Sequence, residues 1–497
     1  MTMSLSICTE CLSRLRLSSN MPKGLAVTAS TWTQTTSFHS SAAQYKSPLL
    51  KKKVSQSGTS APRARQSQSA RLKKKGRERP KLPPIGERRA QRRRIVLSNT
   101  NALPVSDMET WSKENVIDEK TVGQMMALDG GLLDQLRDSG AFKTTQNWSL
   151  FRRPAILIRE ETLRIAKEMD DIKQEGEKKK VVKHLVIGEK ASGKSVLMLQ
   201  AMSMAYMDHW IVVNVPEAQD FVNNTSSYAP LRHAEDESQH MYIQPQLTQL
   251  LLTRIATSND SVLKSLRLNH AHPKPLSLKN NSTLLDLAQK GAGDHHLSWQ
   301  AWQAFYKELT EPGQNPRPPV LFAADGVDHW MGPTAYRDSE HKILHSHQFA
   351  LVKQFINLLF TGNTSKTSPF INGGMVLFST SGSNTPAYPT FDLILSQMRA
   401  RQLHSISPTH PDFPLPKPYS KPDPRVLALS APATRGDLNL MELKGLNKLE
   451  SRGYLEYFAK SGLLHRRITD GLVSEMRGLS GGGVVGELAK LSRRVIA

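Results

Sequence analysis

The apolar positions along this chain follow two rhythms. Short, mostly apolar runs, the first of them rich in β-branched residues, occur at "VVKHLVI" (181–187), "WIVVNV" (210–215), "VLFAA" (320–324) and "GMVLFST" (374–380), each the length of a buried strand. Between them, apolar residues recur at helical spacing over 193–209, 243–257, 297–310 and 342–360. An earlier stretch, 154–172, places Ile156, Ile158, Leu163, Ile165 and Met169 near helical spacing after a proline suited to a first turn. Met198, Met202 and Met204 read as core filler within their helix.

Strands alternating with helices predict an α/β fold, a mostly parallel sheet covered by helices on both faces. Residues 259–296 and 361–373 read as loops, and the proline-rich stretches "HPDFPLPKP" and "SKPDP" mark a break near 408–424. Beyond it, 438–470 and 485–495 read as helices. The expected division is therefore an α/β domain over 96–407 and a small, mostly helical C-terminal lid over 408–497. No internal repeat is visible.

Patterning fades toward the N-terminus, where charge takes over. Residues 46–95 hold 18 Lys and Arg against Glu78 and Glu87, so this segment carries +16 of the formal +22, while 96–497 keeps only +4. With scarce apolar surface and strong self-repulsion, 46–95 is expected to be a disordered basic arm that binds RNA phosphates, a solvated linker being the alternative. Residues 1–45 are rich in Ser and Leu, with Arg14, Arg16 and Lys23 against Glu10. That composition predicts a mitochondrial targeting peptide, processed between about Phe38 and Lys46. The two cysteines, Cys8 and Cys11, fall in "CTEC" with no second ligand pair downstream, which argues against a metal site. No apolar run of membrane-spanning length occurs.

The candidate chemistry lies at "GEKASGKS", directly after the first strand. Gly188, Gly193, Lys194 and Ser195 fit the phosphate-loop pattern G-x-x-x-x-G-K-S, with Glu189, Lys190, Ala191 and Ser192 between the glycines and Val196 following. Glycines let successive N–H groups turn toward phosphate oxygens, and the following helix N-terminus adds a favourable dipole. Lys194 would reach the β- and γ-phosphates, and the Ser195 hydroxyl would ligate Mg²⁺. Such a loop works with an acid at the end of a neighbouring strand, and "VLFAAD" supplies Asp325. The next residue is Gly326, where ATPases of this branch carry the glutamate that polarises water. Asp328 is the remaining candidate for that role, a turn cap being the other reading. At the end of the fourth strand, Thr380 or Ser381 could sense a γ-phosphate, although turn chemistry also places such residues there. "NKLE" (447–450) and "SKPD" (420–423) imitate a guanine-reading motif, but the first has Glu for Asp and the second has Ser first and an internal proline. The strand order along the chain is similar to that of AAA+-like P-loop NTPases, in which an extra strand separates the loop strand from the acid-bearing strand.

Several stretches together resemble one family, the mitochondrial small-subunit ribosomal proteins related to animal death-associated protein three. They are "FRRPAILIREET", "GEKASGKS", "WIVVNVPEAQDFVNNTSSY", "VLFAADGVDHW" and "LSGGGVVGEL", and the likeness spans roughly 105–497. It implies a structural protein of the small mitoribosomal subunit that holds a purine nucleotide, GTP or GDP, with Mg²⁺. Phosphate binding then falls to Gly188–Ser195 and the metal to Ser195 and Asp325. The implied partners are small-subunit rRNA and neighbouring ribosomal proteins rather than copies of itself. A free mitochondrial NTPase acting as a remodeller is the alternative, but neither a second catalytic acid nor an arginine finger stands out. A long insert between Pro216 and Val320 departs from the family pattern, and a cell-death role has no support in these residues.

Overall fold

The computed structural model describes residues 95–174, 180–231, 240–272, 274–279, 281–360, 370, 372–384, 386–429 and 438–494. The targeting peptide, the basic arm up to residue 94 and the "CTEC" pair lie outside the described residues, as does most of the loop expected at 361–373.

Five parallel strands form the central sheet: β1 (Val181–Gly188), β2 (Ile211–Val215), β3 (Val320–Asp325), β4 (Gly374–Ser379) and β5 (Asn439–Leu443). Their order across the sheet is β5-β1-β4-β3-β2. The strand that separates β1 from β3 is β4, and β2 lies at the edge beyond β3. Register places Ser379 beside both Val186 and Asp325, and Leu443 beside Gly188. The ends of β1, β3 and β4 thus meet at one rim, where open parallel α/β sheets offer a crevice to ligands.

Side chains of each strand alternate between two cores, as the pleat requires. Val182 and Val186 of β1, Leu321 and Ala323 of β3 and Met375 and Leu377 of β4 face α1 (Glu160–Gln174) and α2 (Lys194–Met207). On the opposite face, Leu185, Ile187, Phe322, Ala324, Val376 and Phe378 meet α3 (Pro245–Ser258), α4 (Leu284–Gly293), α5 (Ser298–Thr310), α6 (Ala350–Phe360) and α7 (Pro389–Gln402). Trp302, Phe305, Phe322 and Phe355 are fully buried in this second core, each worth about 1.5–3 kcal/mol by removal from water. Met198, Met202 and Met204 are buried against the first face, as core filler should be. A third cluster joins Phe151, Ala155 and Leu157 to α8 (Lys448–Lys460), α9 (Asp470–Leu479) and α10 (Val485–Arg494).

Several local expectations are corrected. Residues 154–172 are not one helix: Ala155–Leu157 pairs antiparallel with Met125–Ala127, and α1 begins only at Glu160. Ile156 and Ile158 match a helical period but are buried in the first core from extended backbone, so tertiary pairing decides the conformation. The span 342–360 divides likewise into a short strand, Ile343–His345, and α6. The region 259–296 holds a short helix, Asp260–Ser265, and α4, whose start is closed by a capping box between Thr283 and Asp286. Helix α7 had no counterpart among the expected elements. The long insert, through α3, α4 and α5, builds much of one face of the sheet. Residues 438–470 open with a strand, not a helix, so the region expected as a helical lid also contributes β5 to the sheet. "NKLE" is the cap of α8: Asn447 and Glu450 exchange side chain–backbone hydrogen bonds of 2.8 and 3.0 Å. Asp423 of "SKPD" likewise caps a short helix, Pro424–Leu427. Among the described residues no helix is long and apolar enough to cross a membrane.

Candidate functional site

At the rim of the sheet the chain leaves β1 at Gly188, turns through Glu189–Gly193 and enters α2 at Lys194. The turn demands its residue types. A Cβ on Gly188 would lie 2.6 Å from the Leu443 carbonyl oxygen of β5, and Gly193 has a φ of +104°. Ala191 adopts the left-handed region at φ 60°, without a glycine's freedom. The Lys194 ammonium folds back into the loop and donates to the carbonyls of Gly188 and Glu189, each at 2.8 Å. It is buried, and burial pulls its pKa below the ordinary value; Lys143 adds to that shift while Asp325 and Asp328 oppose it. The Ser192 hydroxyl is buried and makes no hydrogen bond.

Asp325, at the end of β3, is the hub beside the loop. Its Oδ1 accepts from the Ser379 hydroxyl at 2.5 Å, and its Oδ2 accepts from the Ser195 hydroxyl at 2.5 Å and from the Lys143 ammonium. Ser195 and Asp325 therefore stand together, as expected from the sequence. The oxygens they bring side by side are the hard donors that a Mg²⁺ ion takes.

Gly326 adopts φ +85° and opens a short 3₁₀ turn over Val327–Trp330. Asp328 in that turn is no cap: its Oδ1 accepts from the Ser381 N–H at 2.7 Å, tying the turn to the segment after β4, and its Oδ2 has no partner. Burial pushes this carboxyl up to about 6; the N–H groups of Ser381 and of Asp328 itself oppose the rise, and the nearby Asp325 charge reinforces it. Thr380 donates its N–H to the Val186 carbonyl at 3.0 Å, which stitches the end of β4 to β1. Gly382 then passes so close that a Cβ there would lie 2.8 Å from the Lys190 Cα and 3.1 Å from the Lys194 ammonium.

These elements enclose a cavity of about 440 Å³, within the range of small-molecule sites. Lys190 to Val196, Asp325 and Thr380 line it, whereas Gly188, Glu189 and Asp328 stand outside its wall. Six cations (Lys143, Arg159, Lys190, Lys194, Lys490 and Arg493) line it with one carboxylate, Asp325. Glu161 and Glu450 offset Arg159 and Glu487 offsets Lys490 from outside the wall, and the surplus that remains suits a polyanion. The rest of the wall is largely apolar and aromatic, with Trp148, Phe151, Tyr454 and Tyr457 among its members. The residues present thus fit a nucleotide: a cationic loop with an unpartnered hydroxyl, and aromatic surface for a base.

Several wall residues carried no legible signal. Arg159 is buried and donates to the Ser192 carbonyl at 3.2 Å and the Lys444 carbonyl at 2.9 Å, bridging the loop to the connection after β5. The Gly486 N–H donates to the Ala191 carbonyl at 3.0 Å, so the start of α10 sits directly on the loop; a Cβ on Gly486 would meet the Ala191 Cβ at 2.5 Å. Lys143 and Ser379 reach Asp325 only through the fold.

Converging parallel strands, a glycine-bearing loop and a cationic cavity at one rim define an α/β protein with a candidate ligand site, and comparison with known proteins narrows the class. The profile of the family described as mitochondrial ribosomal death-associated protein 3 matches residues 156–491. The chain is similar to the small ribosomal subunit protein mS29 of Neurospora crassa, with 38% identity over 413 residues, 82% of this chain and 83% of the relative. The Schizosaccharomyces pombe protein of the same name is 25% identical over 368 residues, 73% of this chain and 70% of the relative. The Mus musculus protein is 22% identical over 173 residues, 34% of this chain and 43% of the relative. The chain belongs to the mitochondrial ribosomal death-associated protein 3 family, and its location is the mitochondrion.

Proposed function

We propose that the chain is a structural component of the small subunit of the mitochondrial ribosome, and that it keeps a purine nucleotide, GTP or GDP, at the loop Gly188–Ser195. The observation that carries the nucleotide reading is Lys194, a buried ammonium held by loop carbonyls beside the Ser195–Asp325 pair, on a cavity wall with six cations to one carboxylate. The sheet order β5-β1-β4-β3-β2, with one strand between the loop strand and the acid-bearing strand, supports an AAA+-like P-loop assignment. The ribosomal reading rests on the relatives' names, and the basic segment 46–95 would supply rRNA affinity through phosphate neutralisation.

In this reading the phosphates lie over the loop N–H groups and the start of α2, where Lys194 turns from its carbonyl partners to an anionic oxygen. Ser195 and Asp325 are the oxygen ligands a Mg²⁺ ion would take, in competition with the Lys143 ammonium on Asp325 Oδ2, and the ion would neutralise phosphate charge. Aromatic wall residues offer the base a stacking surface, as Tyr454 and Tyr457 come from α8. Because α8 and α10 contribute to the same cavity as the loop, the ligand joins the C-terminal helices to the sheet and works as a structural staple. Turnover is weak or absent in this reading, since Gly326 has no side chain to polarise water and one oxygen of Asp328 is engaged by Ser381.

Mass identification of small molecules released from purified mitochondrial ribosomes containing this chain tests the proposal. One GTP or GDP per small subunit, lost on Lys194→Ala substitution, is the expected result. Ribosomes that contain the chain and release no nucleotide beyond that of the variant would overturn it.

A further inference from the structure

Lys143 engages the same carboxylate oxygen that a metal at Ser195 and Asp325 would need. Oδ2 of Asp325 accepts from both the Lys143 ammonium and the Ser195 hydroxyl, while Oδ1 is taken by Ser379. The salt bridge is partly shielded, with the Lys143 side chain 23% exposed and that of Asp325 8% exposed, so water and salt screen it incompletely. A divalent ion on that oxygen would sit against the ammonium and be repelled by it.

The position of Lys143 is built rather than incidental. Its neighbours Ala141 and Phe142 are buried, and Phe142 packs edge-on against Trp148 at 5.2 Å. The Lys143 backbone N–H donates to Gln146 Oε1 at 2.9 Å, and the same oxygen accepts from Trp148 Nε1 at 2.5 Å. The segment is thus pinned at both ends while its ammonium points to a carboxylate 182 residues further along the chain. Lys143 and Lys194 line the same cavity, and the Lys143 charge adds to the lowering of the Lys194 pKa, so both cations face the space a phosphate over the loop would occupy.

We propose that Lys143 is a tethered cation that holds the metal's place beside Ser195 and Asp325, supplies part of the positive charge a bound polyphosphate needs, and makes binding there largely independent of Mg²⁺. The inference rests on the nucleotide reading given above. Displacing Lys143 by Mg²⁺ exchanges one cation for another on the same oxygen, so the net gain from metal is small. Removing Lys143 frees the oxygen and leaves the phosphates dependent on the ion.

Calorimetric titration of the full-length protein with GTP and with GDP, in excess Mg²⁺ and in excess EDTA, tests this for wild type, Lys143→Met and Lys143→Arg. Wild type and Lys143→Arg should lose less than about threefold in affinity on chelation, whereas Lys143→Met should lose about tenfold or more. Mn²⁺ titrated into nucleotide-free protein and followed by its paramagnetic resonance should bind Lys143→Met about tenfold more tightly than wild type. Equal metal dependence in wild type and Lys143→Met overturns the proposal. If Lys143→Met does not fold, a loss of tenfold or more on chelation in wild type itself overturns it, as does tight Mn²⁺ binding to nucleotide-free wild type. Failure of wild type to bind either nucleotide, with metal or without, would instead sink the nucleotide reading, and this inference with it.

Discussion

Replacing Lys194 with Met separates the ligand's contribution from the fold's. The side chain is buried and its ammonium makes two 2.8 Å hydrogen bonds to the carbonyls of Gly188 and Glu189. In ligand-free protein those bonds are opposed by the cost of burying the charge, the same cost that lowers the lysine's pKa. A methionine fills nearly the same volume without that cost, so the ligand-free stability should change by no more than about 1 kcal/mol. With phosphate bound the balance differs, because a charge-assisted contact worth about 1.5–3 kcal/mol is lost, or roughly one to two decades in affinity. At a nucleotide concentration a hundredfold above the wild-type Kd, ligand stabilises wild type by about 2.7 kcal/mol. The same concentration should stabilise Lys194→Met by only about 1.4 kcal/mol if affinity falls tenfold and ~0.4 kcal/mol if it falls a hundredfold. Urea unfolding with and without GDP measures both quantities on the same protein. Equal GDP stabilisation of wild type and variant would refute the reasoning, as would a variant that loses several kcal/mol without ligand.

Asp328 provides a pH test. Its folded-state pKa of about 6 lies above the ordinary 3.8, so the folded protein binds more protons between those values, and the associated stability, present below about pH 4, is lost as pH rises through about 6. Asp328→Asn should therefore be more stable than wild type by up to about 3 kcal/mol near pH 7 and nearly equal to it near pH 4 in urea unfolding; a difference that does not change with pH would contradict this. Gly382→Ala places a methyl 2.8 Å from the Lys190 Cα, so the loop must shift, costing about 1–3 kcal/mol in unfolding experiments and weakening GDP binding; unchanged stability and affinity would show that the contact relaxes freely. Deleting residues 46–95 should flatten the salt dependence of affinity for single-stranded rRNA fragments, which six to ten phosphate contacts would set at a log–log slope of about −4 to −7; equal slopes for the full-length and deleted proteins would mark the segment as a spacer.

Local pattern in the sequence determined the main strands and helices and the place of the candidate loop. Runs such as "VVKHLVI" and "VLFAA" can be buried strands because β-branched and aromatic side chains fit a pleated surface covered on both faces. The glycines, lysine and serine of 188–195 announce their loop because few other residues allow that backbone turn or supply that charge. The order of the strands was not legible, since periodicity carries no information on which strand pairs with which. β5 was hidden for a related reason: "NLMEL" is short, and only its pairing with β1 makes it a strand. "PAILI" shows the converse, a helical period overruled by pairing with Met125–Ala127. The same limit applies within the candidate site. Ser195 and Asp325 could be named together because each ends or follows a recognisable strand. Ser379 reaches Asp325 only because the parallel register of β4 and β3 sets them side by side, and Lys143 only because Phe142 and Trp148 pin a distant segment against the rim. Contacts between residues so far apart in the chain are properties of packing, so the tertiary structure alone decided which cation pairs with Asp325.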